Sequence, residues 1–207
     1  MGKTDFRKEL KNLYMPSAKE FSIVDVPPMR YLMVDGSGDP NTAPAYKDAV
    51  EALYAVSYTL KFMSKIELSK DYVVPPLEGL WWADDFSSFM EYRKDEWRWT
   101  AMIMQPEWIT AAMIARSTEK ARLKKPLPAL DLLREEVLIE GPSVQILHIG
   151  SYAEEAPVLA RMHHEYMHEN GLGFNGKHHE IYLSDPRKTA ATKLKTVLRQ
   201  PVKRPTP

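Results

Sequence analysis

Apolar and polar positions along the chain change period several times, and each change predicts an element. Tyr31 to Val34 is a short apolar run, and Gly36 to Pro40 is dense in turn formers. From Ala43-Pro44 the apolar spacing switches to three and four: Val50, Leu53, Tyr54, Leu60 and Phe62 recur on one side, with Lys47, Asp48 and Glu51 on the other. This predicts a strand, a loop and a helix to about Met63, with Pro44 in the first turn, where its missing N–H removes no helical bond. After Pro75-Pro76, residues 77–82 and 96–104 read as strands of a hairpin joined through the polar stretch Asp84 to Asp95. Thr110 stands at the N-cap of a helix whose basic end, near Lys125, suits the negative pole of the helix. Arg134 to Glu140 and Val144 to Ile149 read as a second hairpin around Glu140-Gly141-Pro142-Ser143.

The first pattern then returns. Gly150-Ser151 leads through a polar loop to Ala156-Pro157 and a helix with Leu159, Met162, His163, Tyr166 and Met167 on one side, stopped at Asn170-Gly171. A strand with a glutamate, His178 to Leu183, follows. Setting Gly36-Ser37 against Gly150-Ser151, Ala43-Pro44 against Ala156-Pro157, and Leu77 to Trp81 against His179 to Leu183 gives two copies of one supersecondary unit, with Glu78 opposite Glu180. The organisation expected is an arm over residues 1–20 and one domain over 21–203 made of two repeats (about 21–125 and 126–203). Phe21 to Val26 is an edge strand, and a tail follows at 204–207.

Composition narrows the function classes. The 28 basic and 28 acidic residues cancel without a long like-charge block, so nothing attracts nucleic acid or an anionic membrane surface. Absence of cysteine removes disulfides, thiol nucleophiles and thiolate metal sites, and the N-terminal MGKTDFRKEL lacks the apolar stretch of a signal peptide, so a cytoplasmic protein is expected. No apolar run approaches the roughly 18 residues of a membrane span. Five Trp, ten Tyr and eleven Met suit an adaptable pocket for an organic ligand.

The stretches PLEGLWW, WRWTAMIMQPEWIT, VQILHIGSYAEEAP, NGLGFNGKHHEIYLSDPRKT and KLKTVLRQPV together resemble stand-alone GyrI-like small-molecule-binding proteins, over roughly residues 20 to 203. Ser151 stands where the family pattern has proline before Tyr152. The resemblance implies an α+β fold of two tandem strand-helix-strand-strand (SHS2-type) units, forming antiparallel sheets with helices on one face and a ligand cleft on the other. It also implies a ligand that is a small aromatic or cationic organic molecule. Some stand-alone members are hydrolases that open the cyclopropane ring of DNA-alkylating natural products, a detoxifying chemistry. Others of this fold are the effector-binding domains of multidrug-responsive regulators.

Strand alternation sorts the candidate chemistry. His178, Glu180 and Tyr182 share one face, and His179, Ile181 and Leu183 the other. Ile181 and Leu183 are expected under the helices, which aims Glu180 and Tyr182 into the cleft on the opposite side. The resemblance also places its ligand-facing glutamate at Glu180. A carboxylate among aromatics is desolvated, which favours a base near neutral pH or a counter-charge for a cation; the alternative is an ordinary surface strand residue. Tyr152 is either a proton donor to a developing oxyanion or a loop aromatic. Trp97 and Trp99 form either a stacking wall or a slab of core, and Glu78 with Trp82 makes a second acidic–aromatic set. His178 and Phe174 complete the expected ligand set. Adjacent His178 and His179 diverge, and the glycines near Gly36 and Gly171 lack a nucleotide fingerprint, so neither metal nor cofactor is expected.

Overall fold

The computed structural model describes residues 2–85 and 93–204. In chain order these form helical turns α1 (Phe6–Glu9) and α2 (Lys11–Tyr14), strands β1 (Ser22–Val26) and β2 (Met29–Ser37), helix α3 (Pro44–Glu67), and strands β3 (Leu77–Trp82) and β4 (Arg98–Met104). Helix α4 (Ala111–Lys124) and strands β5 (Arg134–Leu138) and β6 (Gly141–Ile149) follow. Helix α5 (Ala156–Ala160) continues through a π-helical turn at Arg161–Tyr166 into α6 (Met167–Glu169), before β7 (Gly173–Phe174), β8 (His178–Tyr182) and β9 (Lys195–Lys203). Part of the link expected between the first two hairpin strands, 86–92, lies outside the described residues. Two compact units emerge: residues up to Glu9 with Met29–Leu138, and Leu10–Pro28 with the chain from Ile139 onward.

In the first unit, β2-α3-β3-β4 is the strand-helix-strand-strand element, with strand order β3-β4-β2-β5 and antiparallel pairing throughout. Helix α3 starts at Pro44 and buries Ala49, Ala52, Leu53, Val56, Leu60 and Met63, the spacing of an amphipathic helix. It runs four residues beyond Met63 because its last turn is held from outside: Arg116 of α4 grips Glu67 through two nitrogens, at 3.0 and 2.5 Å. The Thr110 hydroxyl caps α4, accepting from the Met113 N–H at 3.3 Å. Tyr46 of α3 touches the rings of Trp81 (5.9 Å) and Trp99 (5.0 Å), which fixes the helix-covered face of this sheet.

In the second unit, β6, the α5–α6 segment, β8 and β9 repeat the same order of parts, with strand order β1-β6-β9-β8 and β7 on β9. Met162 and Met167 pack on Val144, Ile146, Leu198 and Val202, with Val158, Leu159 and Tyr166 at the margin. Each unit carries one added edge strand, β5 beside β2 and β1 beside β6. The second hairpin expected from the sequence does not form, because β5 pairs with β2 and β6 with β1 and β9. Gly141, at φ +64°, takes a left-handed conformation between them, so the turn chemistry redirects the chain instead of closing a hairpin. The division between units accordingly falls after Leu138 rather than near residue 125. No described helix is long and apolar enough to cross a membrane.

Candidate functional site

Register decides what each strand presents. Glu180 lies opposite Leu198, which lies opposite Ile146; Tyr182 lies opposite Thr196, which lies opposite His148. Residues directly paired across antiparallel strands share a face, and Ile146 and Leu198 are packed under Met162 and Met167. The Glu180 face is therefore the helix-covered one. The expectation that Ile181 and Leu183 pack under the helices is reversed: buried Ile181 falls on the face of His179 and Arg199.

On the helix side of this second unit, the Tyr182 hydroxyl donates to Glu180 Oε2 at 2.8 Å, and His178 Nε2 lies 3.5 Å from Glu180 Oε1. The Tyr152 ring meets Tyr182 edge-on at 5.8 Å. Only 15% of the Glu180 side chain is exposed. A second carboxyl joins it. Glu155, 5% exposed at the start of α5, is driven far above the usual carboxylate range by burial and then by the negative charge of Glu180. The nearby Thr196 hydroxyl favours the charged form, yet among the described residues neither Thr196 Oγ1 nor Glu155 Oε1 completes a hydrogen bond, and both atoms are buried. Burial and the neighbouring charge both favour the neutral form of Glu155, which makes it the proton holder of the pair. Burial, with the charges of Glu155, Glu180 and Asp185, raises the Tyr152 phenol to about 12, so it stays protonated well above neutral pH.

Glu155 was not singled out from the sequence, where Glu154-Glu155 falls in the polar loop between Gly150-Ser151 and Ala156-Pro157. Glu154 does that local work: its carboxylate accepts from the Ser151 N–H and hydroxyl, both at 2.8 Å. Ser151, off the family pattern, thereby builds a capping box that orders the loop carrying Tyr152. Phe174 is half exposed and contacts His163 at 5.0 Å.

The expected residues of the first unit divide differently. Trp81 pairs with Trp99 on the α3 side, so Glu78, Leu80 and Trp82 occupy the reverse face. Glu78 is consequently not the positional counterpart of Glu180, which faces its own helix. It is fully buried and accepts from the Tyr31 hydroxyl at 3.1 Å. Trp99, 1% exposed, belongs to the core, while Trp97 is partly exposed and touches Trp81 at 6.0 Å. Among the described residues no group of three or more His, Cys, Asp or Glu is arranged to hold a metal ion.

The profile of the GyrI-like small molecule binding domain matches residues 19–203. The chain belongs to that family. Among solved structures, this GyrI-like chain is similar to an uncharacterized conserved protein from Listeria innocua: 40% identity, TM-score 0.87, covering 97% of this chain and 100% of the other. It is likewise similar to a protein described as a hydrolase from Listeria innocua, at 41% identity and TM-score 0.84, with 97% and 100% covered. The EcmrR C-terminal domain shares the fold at TM-score 0.56 and 9% identity, covering 90% of this chain and 98% of that one. Among curated proteins, none matches this chain. The α+β fold of tandem strand-helix-strand-strand units read from the sequence is thus the family fold.

Proposed function

We propose that this protein is a small-molecule hydrolase whose reaction centre is the Glu155–Glu180 carboxyl pair, acting on flat aromatic electrophiles such as cyclopropane-bearing DNA-alkylating compounds. The observation that carries this reading is the buried Glu155 carboxyl, whose pKa is driven up by burial and by the charge of Glu180, beside Glu180, itself held by Tyr182. Similarity to a Listeria protein described as a hydrolase supports it.

In this reading Glu180 takes a proton from water as the water oxygen bonds to the strained ring carbon. The ring C–C bond breaks, and its electron pair passes through the conjugated system to the carbonyl oxygen, which becomes a phenolate. Tyr152 or Glu155 donates the proton that makes it a phenol, and the product is the substrate plus one water. No oxidant, metal or cofactor enters the balance. Buried Thr196 Oγ1 and Glu155 Oε1, neither completing a hydrogen bond among the described residues, suit a polar reacting group or the attacking water.

The same carboxylate beside the Tyr152 and Tyr182 rings also suits a cationic aromatic guest, which favours sequestration without turnover as the second reading. One assay separates them. Incubation with a cyclopropane-bearing alkylator is expected to yield the water adduct, and Glu180→Gln is expected to abolish the adduct while largely sparing binding. Tight binding with no adduct from the wild-type protein rejects the hydrolase and leaves sequestration.

A further inference from the structure

Two buried imidazole nitrogens near Glu180, His163 Nε2 and His178 Nδ1, have no hydrogen-bond partner among the described residues, while His178 Nε2 lies 3.5 Å from Glu180 Oε1. The two imidazole rings stand 6.3 Å apart at 82°. His178 leaves β8 on the same face as Glu180, two residues away, and His163 comes from the π-helical turn. Buried polar atoms without partners cost about 1–3 kcal/mol each, and π-helical turns are uncommon and concentrate at functional sites. Two such features meeting at one spot, beside a carboxyl pair, point to a ligand contact rather than to packing. Burial, followed by the influence of His178 and His164, lowers His163 to about 4, so it is neutral at physiological pH. A neutral imidazole offers one N–H donor and one nitrogen acceptor. A group that both accepts and donates along one flat edge complements such rings; a hydrocarbon edge leaves them unpaired.

We propose that His163 and His178 form a hydrogen-bonding subsite that takes a neutral amide-like edge, an N–H and a C=O together, of the aromatic molecule bound at Glu180. Phe174, whose half-exposed ring touches His163, borders this subsite. The assignment rests on the reading of Glu180 as the small-molecule site and adds the feature that selects among aromatics of similar size. A site built for hydrogen bonding discriminates strongly, because an analogue lacking the group leaves buried polar atoms unmatched.

The test uses two planar probes of similar shape, phenanthridinone, which has the amide edge, and phenanthrene, which does not. Direct binding is measured to the wild-type protein, His163→Phe, His163→Asn and His178→Phe. Wild type is expected to prefer phenanthridinone by at least about tenfold. His163→Phe and His178→Phe each erase most of that preference while leaving phenanthrene affinity unchanged. His163→Asn, which keeps an N–H and a C=O, retains the preference. Equal affinity of wild type for the two probes overturns the histidine subsite alone, as does a parallel loss of both in His163→Phe, which marks a packing defect. Failure of both probes to bind at all overturns the subsite together with the small-molecule reading of Glu180.

Discussion

The Tyr182 hydroxyl donates to Glu180 Oε2 at 2.8 Å, from two residues further along the same strand. Side chains two apart on a strand share a face, so β8 alone holds the carboxylate and its donor in one orientation. Tyr182→Phe keeps the ring that meets Tyr152 and removes the hydroxyl that donates to Glu180. The expected outcome is a roughly 10- to 100-fold fall in kcat for cyclopropane hydrolysis with KM changed much less, since a hydrogen bond to a charged group is worth about 1.5–3 kcal/mol. An unchanged kcat in steady-state assays counts against Tyr182 as the residue that positions Glu180.

Glu155 makes a prediction about stability that needs no substrate. Its folded-state value lies above the usual 4.5, so the folded protein keeps a proton that the unfolded chain releases. Its stabilising contribution is complete below the unfolded value and is lost as pH rises toward the folded value, with a slope of at most about 1.4 kcal/mol per pH unit. Glu155→Gln mimics the neutral acid and has no such slope. Urea denaturation across the range from about pH 5 to about pH 8 is expected to show the variant gaining on wild type as pH rises. A constant difference between the two proteins means that Glu155 is not held protonated.

The elements with local signals were legible in the chain. Pro44 and Thr110 mark helix starts, and the strand Leu77–Trp82 has the expected bounds. What was hidden depends on partners distant in sequence. Strand β9 carries Lys195, Thr196, Arg199 and Gln200 and contains Pro201, yet it lies inside the second unit's sheet between β6 and β8. Arg199 and Gln200 are tolerable there because partners elsewhere in the chain satisfy them, Gln145 and Leu13 for Arg199 and the Gly176 carbonyl for Gln200. The turn chemistry at Gly141 was visible, but whether it closes a hairpin depends on β1 and β2 competing for the two strands. Alternation correctly grouped His178, Glu180 and Tyr182, but it cannot say which face the helices cover, and so Glu180 was aimed the wrong way. Glu155 was hidden for a similar reason: burial singles it out from Glu154, and burial is not a local property.

Arg199, 1% exposed, is held by Gln145 Oε1 at 3.2 and 3.1 Å, by the Leu13 carbonyl at 2.7 Å and by Glu140 Oε2 at 3.4 Å. Burial by itself raises Glu140, but the charges of His179 and Arg199 outweigh it and hold the carboxyl below its usual range. Arg199→Met leaves Glu140 buried with its charge less compensated and the Leu13 carbonyl without its donor. A destabilisation of about 3–5 kcal/mol is expected, with faster proteolysis in Leu10–Pro28. Replacing Glu140 by Met as well should recover part of the loss, since removing both charges costs less than stranding one. A single-variant loss below about 1 kcal/mol in urea denaturation contradicts a functioning buried ion pair.

Gly36 and Trp99 lie opposite each other on β2 and β4, and a Cβ placed on Gly36 would come within 2.2 Å of the Trp99 ring. The missing side chain is therefore what admits the indole, which then meets Tyr46 edge-on at 90°. Gly36→Ala forces the ring or the strand aside, with an expected loss of about 1–3 kcal/mol. Trp99→Phe removes the ring atoms that the added methyl would strike, so in the Gly36→Ala background it should cost less than it does alone. Thermal denaturation of the four proteins of this double-mutant cycle measures that coupling, and the expected sign is favourable. Simple additivity would show that the indole does not depend on the glycine for its place in the first unit's core.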